Sequence, residues 1–212
     1  MNDDDLRSLT VEAFLRRLST REPVPGGGSA AALAGAMGAA LLHMVVELSG
    51  DRATDGDRSD LQEIGAAAAT WHSELLNLAE LDARAYDGVI QARRMPRDTE
   101  RDAEARRALV HAATQEATRM PLEVVRCGQE LLRLAERLAP VGHRNAISDV
   151  GVAGLLAVAA IRGAALNVQI NLPFLPEDDP LRAEAPRALD EVLETLDERD
   201  RALRAVVAER LA

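Results

Sequence analysis

From Ala30 to Val46 the chain reads AAALAGAMGAALLHMVV, 17 residues with no formal charge and a single imidazole, His43. Such a run has to leave water, yet most of its side chains are a methyl group or a hydrogen. Burial is then possible only if neighbouring backbones come very close, and alanine at this density specifies a helix. The run is weakly hydrophobic and at the short limit for a membrane span, so a buried helix is the better reading and no membrane partner is expected. A second run of the same kind lies in ISDVGVAGLLAVAAIRGAALNVQI, from Ile147 to Ile170. Aromatic residues make up 2% of the chain against 47% apolar residues, which leaves Ala, Leu and Val to build the core. That mixture favours tightly packed helices over strands.

Helical spacing recurs elsewhere. Leu6, Leu9, Ala13, Phe14 and Leu18 share one face of a first short helix. A second helix is expected from Ser29, whose hydroxyl would cap it behind the glycines of EPVPGGGS. A third, from about Ser59 to Arg94, repeats Leu61, Ala68, Leu75, Asp82 and Val89 every seven residues, with Ile64, Trp71, Leu78 and Ala85 between them. RMPRDTE starts a fourth, which Pro121 is expected to kink or break. A fifth spans about Asp149 to Ile170, and a sixth about Arg182 to Arg210 with Leu189, Leu193, Leu196, Leu203 and Val207 on one face. The expectation is an all-α single domain over 1–212, a bundle of five or six long antiparallel helices.

Charge removes several functions. Thirty-five acidic residues against 25 basic ones leave a net charge of −10, unsuited to a nucleic-acid surface. Every basic residue is arginine, so chemistries that require a lysine, such as the P-loop, the Schiff base and pyridoxal phosphate, are excluded. Cys127 stands alone and reads as a core residue, and the acidic MNDDDLRSLT start does not resemble a signal peptide; a cytoplasmic location follows. Ala40, Ala69, Ala108 and Pro140 stand three residues before the four histidines, so the Glu-x-x-His ligands of a di-iron bundle are missing and no metal is expected.

Four features carry candidate chemistry. Gly26, Gly27 and Gly28 do not fit a dinucleotide fingerprint, because Ala31 replaces its last glycine. They fit either a tight turn between close helices or a set of free amides at the positive end of a helix. Asp82 interrupts an apolar seam, so its carboxylate must be paired or have a raised pKa, with Tyr86 one turn on as a possible partner. Ser148 and Asp149 precede the fifth apolar run as a helix cap would. Asn167 and Asn171, one turn apart, could hold each other or a planar ligand.

Taken in order, PVPGGGSAAALAGAMGAALLHMV, LDARAY, MPLEV, ISDVGVAGLL and GAALNVQINL resemble the formiminotransferase-cyclodeaminase and methenyltetrahydrofolate cyclohydrolase family over nearly the whole chain. The resemblance implies an all-α homodimer that binds a tetrahydrofolate derivative without metal or other cofactor. It implies either hydrolysis of 5,10-methenyltetrahydrofolate to 10-formyltetrahydrofolate or loss of ammonia from 5-formiminotetrahydrofolate. Asp82, in the position of the family's DAxAY/F acid, would transfer the proton. Gly27, Gly28 and Ser29 would offer amides to the ligand, with Tyr86, Asp149, Asn167 and Asn171 as polar contacts and Arg106 toward the folate carboxylates. Many relatives carry a basic GKKKY-like segment after the second helix, where this chain reads GDRATDGD, which argues against tight polyglutamate binding. A non-catalytic folate-binding or interaction dimer of the same fold is the alternative of another class.

Overall fold

A computed structural model describes residues 5–50 and 55–212. The GDRATDGD segment and the first acidic residues therefore fall largely or wholly outside the described part. The elements are α1 (Val11–Leu18), α2 (Gly27–Ser49), α3 (Asp55–Arg94), α4 (Glu100–Val141), α5 (Ile147–Asn171) and α6 (Leu181–Leu211), with short 3-10 turns at Leu6–Ser8, Arg144–Ala146 and Leu172–Phe174. No strand occurs among the described residues, so the chain is all-α as its composition requires.

Helix ends follow side-chain chemistry. Thr10 accepts from the Ala13 amide at 3.1 Å and starts α1 there, which splits the expected Leu6–Leu18 helix into a 3-10 turn and a separate α-helix. Thr99 starts α4 in the same way, accepting from the Asp102 amide at 3.1 Å. Pro121 does not break α4, which runs on through both Pro121 and Pro140. The fifth helix begins two residues before Asp149, so Ser148 and Asp149 lie inside its first turn and Ala146 is the residue before it. Ser29 is likewise not a cap. Gly26 precedes the helix, and Ser29 is its third residue.

The Ala/Gly-rich helices α2 and α5 form the centre of the bundle. They run antiparallel to each other, α3 packs on the far side of α2, and α4 closes the group against α3 and α5. Small residues set these distances: a methyl group on Gly35 would stand 3.1 Å from Leu75 and 3.3 Å from Ala160, so α2 touches both neighbours at one level. On Gly128 it would reach 2.6 Å from Ile161, where α4 meets α5. Long aliphatics fill the rest. Ile64, Leu75, Leu131, Leu132 and Leu138 are fully buried, and Cys127 joins them with its thiol pushed up by burial to about 12. Both central helices are long and apolar enough to cross a membrane by length and composition, and here about half of each apolar stretch is covered by the other helices.

Helix α6 runs antiparallel to α5 and parallel to α4, held by paired hydrogen bonds from Arg199 to Glu136 at 2.8 and 2.9 Å. The turn before it is anchored by Asp179, whose buried carboxylate meets His111 Nε2 at 2.5 Å, the Gln115 amide at 2.8 Å and the Leu181 backbone N–H at 2.9 Å. Burial disfavours this charge, but the hydrogen bonds from His111, Leu181 and Gln115 outweigh it and hold the carboxyl below its ordinary range.

Two outcomes follow from this packing. Leu131→Ala should cost about 2–5 kcal/mol in urea unfolding, since the site is sealed and bounded by stiff helices. Asp179 stabilises the fold above the unfolded carboxylate pKa, and that contribution is lost as pH falls toward the lower folded value. Asp179→Asn should lower the unfolding midpoint at neutral pH, with the gap to the parent closing in acid.

Candidate active site

The start of α2 packs directly onto the middle of α3. Ser29, wholly buried, donates its hydroxyl toward the Ala79 carbonyl at 2.9 Å and the Asp82 Oδ2 at 3.0 Å. Its backbone N–H, free of any acceptor inside the helix at this position, also donates to Asp82. Burial is the largest influence on Asp82 and raises its pKa, while the two hydrogen bonds from Ser29 pull against it. The hydroxyl can serve either state of the acid: it donates to the carboxylate, or gives its hydrogen to Ala79 and accepts from the protonated form.

This contact explains the glycines. A Cβ on Gly28 would lie 2.2 Å from Asp82 Oδ1, an overlap no side chain can have without displacing the carboxyl. A Cβ on Gly27 would be 3.3 Å from the Asn167 amide nitrogen, tight but facing a side chain that can move. On Gly26 the nearest atom would be 3.7 Å away, an ordinary contact. Of the three, Gly28 is demanded by close approach, as the reading of a tight contact between close helices expects, and Gly27 and Gly28 both line a cavity.

That cavity has a volume of about 240 Å³. Asp82 and Tyr86 of α3, Gly27 and Gly28 of α2, and Asn167 and Asn171 of α5 all line it. The two asparagines do not bond each other. Asn167 donates to the Gly163 carbonyl at 2.8 Å and Asn171 to the Ala117 carbonyl at 2.7 Å, which orients both amide oxygens independently. The second bond has a cause in the sequence. Pro121 has no N–H, so the Ala117 carbonyl four residues earlier loses its helical partner, and Asn171 takes that place. Tyr86 is 40% exposed and makes no hydrogen bond to Asp82; it is a wall of the cavity instead.

Two expected site residues stand elsewhere. Arg106 donates through Nε and Nη2 to the Arg93 carbonyl at 3.2 and 3.0 Å, closing the end of α3, and lies roughly 16 Å along α4 from Ala117. Asp149 is in the first turn of α5, about 27 Å along that helix from Asn167. Pro23, Val24, Ala117 and Ile170 line the cavity as well, apolar residues that no local pattern marks as site residues, save that Ala117 stands four residues before a proline inside a helix.

The family model for formiminotransferase-cyclodeaminase matches residues 10–191, and the chain belongs to that family. It is 40% identical to the methenyltetrahydrofolate cyclohydrolase of Methylorubrum extorquens AM1 over 79% of this chain and 81% of that one. It is 29% identical to the formimidoyltransferase-cyclodeaminase of Rattus norvegicus over 83% of this chain, which spans 33% of the rat protein. The crystal structure of formiminotetrahydrofolate cyclodeaminase from Thermotoga maritima superposes with a TM-score of 0.85 at 25% identity, covering 97% of this chain and 98% of that one.

The raised pKa of Asp82 has a measurable sign. Between its ordinary and its raised value the folded state binds more protons than the unfolded one, so this group destabilises the fold as pH rises through that window. Asp82→Asn should raise the thermal midpoint at neutral pH, with the gain vanishing in acid. Gly28→Ala should lose the site and lower the midpoint, because the added methyl group expels the carboxyl from its hydrogen bonds.

Proposed function

We propose that this protein is a methenyltetrahydrofolate cyclohydrolase, hydrolysing 5,10-methenyltetrahydrofolate to 10-formyltetrahydrofolate, with Asp82 as the proton-transfer group. The observation that carries the reading is the single acid, buried and basic, at the wall of a cavity whose other polar groups are neutral. The identity to the Methylorubrum cyclohydrolase over most of both chains supports it.

The one-carbon bridge of the methenyl compound is a cation and already electrophilic, so it needs a placed water and a base rather than a covalent nucleophile. Asp82 takes a proton from water as the oxygen adds to the bridging carbon, giving a neutral tetrahedral hydroxyl. It returns that proton to N5 while the C–N5 bond breaks and the hydroxyl proton leaves to solvent. One water is consumed and one proton released. Burial makes the carboxylate a stronger base, and the bound cation favours its ionised form at the moment it is needed. Ser29 satisfies the acid before and after transfer, while the Gly27 and Gly28 amides and the asparagine oxygens meet the polar edges of the pterin. No metal or other cofactor enters this route.

Cyclodeamination of 5-formiminotetrahydrofolate is the second reading, favoured by the likeness to the Thermotoga structure, and uses the same tetrahedral carbon with ammonia in place of water. We place the protein in the cytoplasm and in a homodimer. Large apolar side chains stand in water on neighbouring faces of the two central helices, Met37, Met44 and Leu48 on α2 and Leu155, Leu166 and Ile170 on α5, which suits a second copy.

Absorbance decay of 5,10-methenyltetrahydrofolate, corrected for spontaneous hydrolysis, tests the reading. Asp82→Asn should slow the enzymatic decay by ~10²–10⁴-fold with the fold intact. Its rate in the parent should rise with pH through the raised pKa of Asp82. Decay of the formimino compound alone would favour the cyclodeaminase. Stabilisation by a folate without turnover of either would leave a binding module.

A further inference from the structure

Further along α3 from the cavity residues Asp82 and Tyr86 stands an arginine seated on an aromatic ring. Asp82, Tyr86 and Arg93 are spaced by four and seven residues, so they share one face of α3. The opposite wall advances in the same direction. Asn167 lies against Gly27 near Asp82, Asn171 reaches Ala117 on α4, and Phe174, in the turn directly after α5, lies under the Arg93 guanidinium at 5.0 Å from its ring centre. Arg106 braces this end by bonding the Arg93 carbonyl, and is therefore spent on backbone.

Arg93 is exposed and sits on an aromatic ring rather than beside an acid. Among the described residues no carboxylate pairs with it, whereas eleven other arginines carry ion pairs. Its partner is Phe174, itself 57% exposed. A ring under the guanidinium holds it flat and leaves its N–H edge free for a planar, two-oxygen acceptor. Eleven helical residues separate Arg93 from Asp82, roughly 16 Å between backbones, and an arginine side chain leaning back toward the helix start shortens this by several ångströms. The aminobenzoyl-glutamate arm of a folate spans about 10 Å from the one-carbon bridge to its carboxylates by ordinary bond lengths.

We infer that Arg93, seated on Phe174, is the subsite for the glutamate carboxylate of the folate, the task that Arg106 cannot perform. This rests on the folate reading given above and extends it from the reacting carbon to the far end of the ligand. Arg93 serves a single glutamate and sets a preference for carboxylate-bearing ligands over the bare pteroate.

The test is isothermal titration of the full chain with 5-formyltetrahydrofolate and with 5-formyltetrahydropteroate, which has the same ring system and no glutamate. The parent should bind the folate form about tenfold or more tightly. Arg93→Gln should abolish that preference by weakening the folate form alone, and Phe174→Leu should reduce it in part. Both positions are exposed, and an unchanged thermal midpoint shows that the variants are folded. Equal binding of the two ligands by the parent, or a preference that survives in Arg93→Gln, overturns the subsite while leaving the folate reading standing. Binding of neither ligand overturns the folate reading and the subsite together.

Discussion

A carboxylate pressed against the first turn of a helix is the constraint on which the rest of this structure turns. Asp82 can occupy its place only because Gly28 has no side chain, and it remains acceptable there only because Ser29 supplies both a hydroxyl and a backbone N–H. The same contact draws the start of α2 onto the middle of α3. With that crossing set, Gly35 reaches Leu75 on one side and Ala160 on the other, and α2 is held between α3 and α5 along its length. A large residue anywhere on this line would open the bundle and loosen the acid together, so the small-residue core and the site are one device.

The second device is a proline inside a helix. Pro121 withdraws a donor from α4 without breaking it, and the orphaned Ala117 carbonyl is paired by Asn171 from α5. A defect in one helix thus orients a polar side chain of another at the cavity wall, and couples α4 to α5 at the level of Tyr86. Asn167 is oriented locally instead, by the carbonyl one turn back on its own helix. The cavity therefore offers amide oxygens whose directions are held by backbone rather than by each other.

Much of this was legible in one dimension. Seven-residue spacing places Leu61, Ala68, Leu75 and Val89 in the core and makes Asp82 conspicuous among them, because a helix face is a property of spacing alone. Helix boundaries were less legible. Thr10 and Thr99 compete with neighbouring residues as caps, and which wins depends on what the adjoining chain packs against. Tyr86 shares the face of Asp82 and still makes no bond to it, since Ser29 from another helix reaches the acid first.

By itself the sequence determined the class of fold, the long alanine-rich helices, the discordant acid and the glycines beside it, since each depends on composition or on spacing within one helix. Only the tertiary structure decided which of the polar residues meet. Asp149 and Asn167 lie on one helix yet stand about 27 Å apart along it, and Arg106 turns to cap α3 while Arg93 rests on Phe174. Those outcomes depend on how antiparallel helices slide past one another, and that register is set by contacts such as Gly28 with Asp82 and Gly128 with Ile161, between residues far apart in the chain.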